Sequence, residues 1–307
     1  MIKIDLITGF LGSGKTTFIK KYIKYLSGQN QKIAVIENDY GAVNIDRMLL
    51  EDELKDICDI EMVIGGDADC RRRRFKTKLI SMHLFGYDRV VVEPSGIYDP
   101  DEFFDVLMES PLNQWYEIGN VLAIVDGEID TLSIQANYIL AGEIANAGKI
   151  ILSKTQFYSK ETIYNTVRYL SSVLSLVSCP RDIHNDIIDK NWEQWNDRDY
   201  ENIMNSGYVV SAYTKYYNEE LVKFSSLFFL DVHLNIKLLK ERIRRLFLDD
   251  KTGFVFRVKG FLFIENKWIQ INADRHHLSL SPVSLGQEII IVIGENLNKE
   301  LIEKYWQ

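Results

Sequence analysis

Cysteine is scarce in this chain: three in 307 residues, Cys58, Cys70 and Cys179, at irregular spacing. That excludes a disulfide framework and agrees with a reducing compartment. Long apolar runs are missing too. None approaches the roughly 18–20 residues that a membrane span needs, and the apolar start, Ile2 to Ile7, is interrupted by Gly9 to Lys15 before a signal-peptide pattern can form. The expectation is a cytoplasmic protein with no membrane partner. Positive charge is not in excess, and a net charge of −8 argues against a general nucleic-acid binder. Internal repeats and low-complexity tracts are absent. What remains is an ordinary globular composition, 46% hydrophobic, over a length that predicts one large or two unequal domains.

Against this background one stretch stands out. An apolar run, Ile2 to Ile7, is followed by Thr8 and then by GFLGSGKTT from Gly9 to Thr17. The spacing Gly9-x-x-x-x-Gly14-Lys15-Thr16 is that of a phosphate-binding loop between a strand and a helix. Glycines let successive backbone N–H groups face one anion. Lys15 is then placed to reach the β- and γ-phosphates, the Thr16 hydroxyl to bind Mg²⁺, and the helix to turn its partly positive end toward the phosphates. The amphipathic spacing of Phe18, Ile19, Tyr22, Ile23 and Leu26 supports that helix.

Downstream, short β-rich runs alternate with helical patterns. Lys32 to Ile36 reads as a strand ending in Glu37-Asn38-Asp39-Tyr40-Gly41, whose acids stand at a strand end beside the phosphate loop and are placed to hold Mg²⁺ or a water. Ile60 to Ile64 reads as another, leading to Gly65-Gly66-Asp67-Ala68-Asp69-Cys70 and four arginines, Arg71 to Arg74, with Asp69 as a helix cap. Arg89 to Val92 ends in Glu93-Pro94-Ser95-Gly96, where an acid orients Mg²⁺ or water and the Gly96 N–H senses a γ-phosphate. Val121 to Val125 ends at Asp126, and Lys149 to Leu152 ends in Ser153-Lys154-Thr155-Gln156. Residues 180–207, with Trp192 and Trp195, read as an irregular insertion, and Tyr208 to Val210 before Ser211-Ala212 reads as the last strand. This alternation predicts an α/β domain with a mostly parallel sheet covered by helices on both faces.

Past about residue 217 the pattern changes. An amphipathic segment, Asn235 to Leu248, is followed by alternating segments at 254–258, 261–265, 268–272 and 278–282, then 288–293 and a terminal helix. Consecutive strands predict a small α+β domain with an antiparallel sheet. The expected division is residues 1–216, a P-loop nucleotide-binding domain, and 217–307.

The ordered set GFLGSGKTT, ENDYG (37–41), EPSG (93–96), SKTQ (153–156) and RVKGFLF (257–263) resembles the CobW-like GTPases, relatives of the urease and hydrogenase nickel-insertion GTPases. The resemblance covers nearly the whole chain, including Gln287 to Gly294. It implies a Mg²⁺-dependent GTPase that acts as a metallochaperone or metallo-cofactor assembly factor, with GTP and Mg²⁺ holding switch loops and a transition metal such as Zn, Co or Mn as cargo. Its implied partners are the nucleotide and a client metalloenzyme, and its implied assembly a nucleotide-dependent dimer. On the matching positions, Gly12, Ser13, Gly14, Lys15, Thr16 and Thr17 cradle the phosphates, and Glu37, Asp39 and Glu93 lie near the Mg²⁺ and the attacking water. Lys154 packs on the base, and Ser211 and Ala212 present N–H groups to it.

Two departures matter. The family's Gly-Cys-x-Cys-Cys is here Gly66-Asp67-Ala68-Asp69-Cys70, so two thiolates are carboxylates. Carboxylates favour harder cations than thiolates do. Either Asp67, Asp69 and Cys70 hold a harder cargo, or the site is lost and the acids pair with Arg71 to Arg74. Gln156 stands where the family has Asp, and Ser153 where it has Asn, which predicts weaker guanine preference, because a carboxylate accepts from both N1–H and N2–H₂ while an amide offers one acceptor. The rival reading is a nucleotide switch that docks a partner without metal. A small-molecule kinase is disfavoured because no second substrate constellation is found.

Overall fold

The computed structural model describes residues 1–39, 50–51, 53–64, 68–214, 224–284 and 286–307. The chain forms two compact units, Met1–Tyr217 and Asn218–Gln307. No helix among the described residues is long and apolar enough to cross a membrane.

The first unit runs β1 (Ile2–Thr8), α1 (Lys15–Ser27), β2 (Ile33–Asp39), β3 (Asp59–Ile64), α2 (Ala68–Phe85) and β4 (Arg89–Pro94). It continues through α3 (Pro100–Met108), α4 (Leu112–Trp115), β5 (Tyr116–Asp126), α5 (Ile134–Ala145), β6 (Lys149–Ser153), α6 (Lys160–Leu176), β7 (Ile187–Ile188) and α7 (Asp197–Met204). The strands form one sheet in the order β3-β2-β4-β1-β5-β6-β7, and every pairing between them is parallel. Both faces are covered, so the strands are apolar on both sides. In β4, Val90 and Val92 enter one core and Val91 the other, the alternation that a pleated strand imposes.

β1 departs from this pattern once. Asp5 is fully buried among its apolar neighbours and accepts from Arg89 Nη1 at 2.6 and 2.8 Å, from Tyr22 Oη at 2.9 Å and from the Asn120 amide at 2.8 Å. This network ties β1, α1, β4 and β5 together at the end away from the phosphate loop. Removing one partner of such a buried pair costs about 3–5 kcal/mol, because the other charge is left uncompensated.

Three elements differ from the sequence expectation. The edge strand is β7, paired through Ile150↔Ile187 and Ile151↔Ile188, not 208–210. Tyr208 makes only an isolated antiparallel bridge to Ala147, because the preceding Gly207 has φ +58° and turns the chain there. Segment 180–207 is not an irregular insertion: Trp192 and Trp195 meet Phe18 edge-on at 5.7 and 6.1 Å, and Tyr200 stacks on Tyr25 at 4.6 Å, so it covers α1. α2 begins at Ala68, which places Asp69 inside its first turn rather than at its cap.

The second unit contains β8 (Phe224–Phe229), α8 (Ile236–Leu248), β9 (Phe254–Ile264), β10 (Lys267–Ala273), β11 (Leu278–Val283), β12 (Ile289–Glu295) and α9 (Lys299–Glu303). Its sheet, β11-β10-β9-β12-β8, is antiparallel throughout. α8 buries Leu239, Ile243, Leu246 and Phe247, spaced to form one helical stripe. The two segments read at 254–258 and 261–265 are one strand, β9, running through Gly260; a Cβ there would lie 2.1 Å from the Ile289 carbonyl oxygen on β12. That glycine admits a close strand contact rather than a break. β8 was not expected from the sequence.

Candidate functional site

Parallel strands bring their carboxyl ends to one edge of the sheet, and the ends of β1, β2, β4 and β6 lie along it. The β1–α1 loop needs its glycines: Gly12 and Gly14 have φ +79° and +97°, a region that side chains disfavour. Gly14 caps α1, and no side chain caps it. The first-turn N–H groups of α1 are therefore not taken up by a cap, which is the arrangement an anion uses. Ser13 and Lys15 are buried at 4% and 7% exposure, Thr16 is half-buried and Thr17 exposed. Lys15 Nζ donates to the Gly9 carbonyl oxygen at 2.7 Å, which folds its ammonium back over the loop.

The acidic strand ends lie alongside. The Thr16 hydroxyl donates to Glu93 Oε1 at 2.9 Å, joining the helix start to the end of β4. Glu37 pairs in register with Glu93 on the neighbouring strand, and both are buried, at 2% and 7% exposure. Two buried carboxylates side by side repel unless a proton or a cation is shared, and with a hydroxyl beside them they form a set of oxygen donors suited to Mg²⁺. Asp39 closes β2 two residues further on. Gly96 presses on the phosphate loop: a Cβ there would lie 2.7 Å from the Leu11 amide nitrogen.

At the end of β6, Ser153 is buried and Gly14 faces it, with 3.5 Å from a Cβ built on Gly14 to that of Ser153. Lys154 has φ +58°, and its Nζ donates to Asp126 Oδ2 at 2.5 Å, while Tyr158 Oη donates to Asp126 Oδ1 at 3.0 Å. Gln156 is exposed in a short helical turn, Thr155–Phe157. Ser211 is tied to Asn146, the residue that caps the C-terminus of α5. Ser211 N–H donates to Asn146 Oδ1 at 3.3 Å, ahead of β6, whereas Ser153 ends that strand. The chain that follows β7 takes a place beside the loop: Trp192 Cη2 lies 3.6 Å from a Cβ built on Gly14.

Sequence reasoning also missed Glu143. It sits on α5, fully buried, in the otherwise apolar run Ile139 to Ala145, and that isolation within an apolar helix was its only signal. Its carboxyl group faces the Thr8 hydroxyl, the Gly9 amide and the Lys15 ammonium, yet neither oxygen accepts a hydrogen bond of ordinary geometry. Burial raises its pKa to about 8, against the opposing pull of Lys15.

Of the altered thiolate motif, Asp67 lies outside the described residues, as does the side chain of Asp69, and Cys70 is exposed on the first turn of α2. Arg72 donates to Glu109 Oε1 at 2.7 Å through Nη2, and Lys76 to Glu109 Oε2 at 2.5 Å, so part of this basic run is anchored on the residue that ends α3.

The family model described as CobW/HypB/UreG, nucleotide-binding domain, matches residues 3–175. The chain is 30% identical over 162 residues to "Zinc chaperone YjiA" of Escherichia coli, covering 50% of this chain and 49% of that protein. It is 32% identical over 169 residues to "Zinc chaperone YeiR" of the same organism, covering 53% and 49%. The chain spans about half the length of these curated relatives. A solved structure of Zn(II)-bound YjiA GTPase from E. coli aligns with a TM-score of 0.43 at 19% identity, covering 99% of this chain and 97% of that one.

Proposed function

The chain belongs to the CobW/HypB/UreG family, and from that premise we propose that it binds and hydrolyses GTP with Mg²⁺ and uses the nucleotide state to control delivery of a metal to a client. The observation that carries this reading is the 2.9 Å contact between Thr16 and Glu93, with Glu37 in register beside it. It joins the phosphate loop to the acidic strand ends.

Gly12 to Thr17 would hold the phosphates, with Lys15 leaving the Gly9 carbonyl to reach the β- and γ-oxygens. Thr16, Glu37, Asp39 and Glu93 would hold Mg²⁺, which when bound neutralises charge developing between the β- and γ-phosphates. Water attacks the γ-phosphorus in line, the bond to the β–γ bridging oxygen breaks, and GDP and inorganic phosphate leave. Glu93 orients the water, and the Gly96 N–H reports the γ-phosphate through its contact with Leu11. Turnover is expected to be slow without a client.

Asp67, Asp69 and Cys70 would take the cargo. Relatives bear the name zinc chaperone; two carboxylates and one thiolate make a harder donor set than three thiolates, which shifts the expected preference from Zn²⁺ toward Mn²⁺ or Co²⁺. Metal titration of the protein with Mg²⁺ and a non-hydrolysable GTP analogue, and again with GDP, tests this. Tight binding of one metal in the triphosphate state alone supports the reading. Binding seen only in an Asp67→Cys, Asp69→Cys variant would sink delivery of metal and leave a switch that docks a partner through the arginine-bearing helix.

A further inference from the structure

The buried carboxyl group beneath the phosphate loop has no part in the chemistry above. Ionised Glu143 is costly where it lies. It is fully buried and, among the described residues, it closes no hydrogen bond of ordinary geometry and has Lys15, the residue that must leave to meet phosphate, as the cation set against it. Among the described residues, Lys15 from α1, Thr8 from β1 and the Gly9 amide are the charged and polar groups that act on it; α3 and α6, the helices packed on α5, supply none.

We propose that Glu143 is a positioning residue for Lys15, which holds the ammonium back from the phosphates when ionised and releases it when protonated. The inference rests on the nucleotide-binding reading and deepens it. With nucleotide absent, an ionised Glu143 and Lys15 attract each other across the floor of the loop. A bound diphosphate draws Lys15 away and places its own negative charge near the carboxylate. Both changes favour the protonated form, so binding takes up a proton from solvent, and no other reactant is needed. The sign follows: affinity is highest where Glu143 is already protonated and falls as pH rises through its free-state pKa, about 8.

The test is calorimetric titration of the full chain with GDP and Mg²⁺ between pH 7 and 9, in buffers of differing ionisation enthalpy, on the unaltered protein and on Glu143→Gln. The unaltered protein should take up a fraction of a proton near pH 8 and lose affinity by up to about tenfold per pH unit above that value. The amide variant should show no such uptake and should bind more tightly than the unaltered protein at pH 9. An unchanged slope in the variant, or no uptake by the unaltered protein, overturns the inference while leaving nucleotide binding in place. Because proton uptake is measured on the unaltered chain, a variant that fails to fold does not blunt the test. No binding at any pH would overturn the nucleotide reading and this inference with it.

Discussion

The phosphate end and the base end of the candidate site are built in different ways. At the phosphate end, strand, loop and helix are contiguous: β1 delivers Gly9, the loop curls through Gly12 and Gly14 at positive φ, and α1 begins with Lys15 and Thr16. Glu93, Gly96 and Glu143 reach it from far along the chain. At the proposed base end, Ser153 to Gln156 leave β6 while Trp192 arrives from beyond a two-residue strand, and Ser153 and Trp192 both lie beside Gly14. A contiguous site has its geometry dictated by backbone rules, whereas an assembled one depends on packing of Trp192 and Trp195 against Phe18. The first should be intolerant of substitution, and the second adaptable in which base it accepts.

The largest expected effect is therefore at Lys15. Replacing it with alanine would remove the ammonium that the proposed mechanism sets on the β- and γ-phosphates. We expect GTP hydrolysis to fall by at least about 100-fold, as when one preorganised electrostatic group is lost from an active site. Steady-state phosphate release measures this, and a Lys15→Ala protein within a few-fold of the original would mean that the loop does not act on a triphosphate. Glu93→Gln comes next. The amide keeps the size of the side chain and an acceptor for Thr16 but removes one of two adjacent buried charges. Mg²⁺ dependence should shift to roughly 10–100-fold higher concentration, the range for losing a group that supports a metal ligand. A Mg²⁺ titration of hydrolysis that does not move would remove Glu93 from the metal site.

This contrast also explains what was legible from the sequence. The parallel sheet, the order of its motifs and the phosphate loop were readable because each rests on local spacing: a β-branched run, a turn that requires glycine, a helical stripe. The edge strand was not. Ile187–Ile188 is too short to show periodicity, and Tyr208 to Val210 offered a more strand-like run that Gly207 prevents from pairing beyond a single bridge. The roles of Ser211 and Ala212 came from the family resemblance rather than from that strand, and Ser211 meets Asn146 at the end of α5. Glu143 was hidden for a different reason: a lone acid in an apolar helix carries no spacing signal, and its proximity to Lys15 exists only after α5 packs under the loop. β9 shows the reverse case, where Gly260 suggested a break but serves a close approach to β12.

At the base end the expected effects are smaller, and they change preference rather than rate. Gln156→Asp supplies a second acceptor to an exposed position on the loop after β6. If that loop reads the base, the carboxylate can accept from both N1–H and N2–H₂ of guanine. GTP should then gain over ATP by roughly tenfold, the lower end of what one good bidentate pair contributes. Competition between the two triphosphates for the same protein measures the ratio. An unchanged ratio would mean that discrimination lies in backbone groups or in the segment after β7.

The smallest effect is expected at Ser211, and it is the one that most directly tests how the base end is assembled. Its backbone N–H meets Asn146 Oδ1 ahead of β6, and its side chain is only half-buried. Ser211→Ala should leave nucleotide affinity within about twofold, since a substitution away from the site rarely moves free energy by more than about 0.5 kcal/mol. Trp192→Ala, made in parallel, removes the indole beside Gly14 and the edge contact to Phe18. It should weaken nucleotide binding more than Ser211→Ala does, while the Lys15-dependent part of hydrolysis persists. The reverse order, with Ser211 sensitive and Trp192 silent, would return the base to the loop before residue 213.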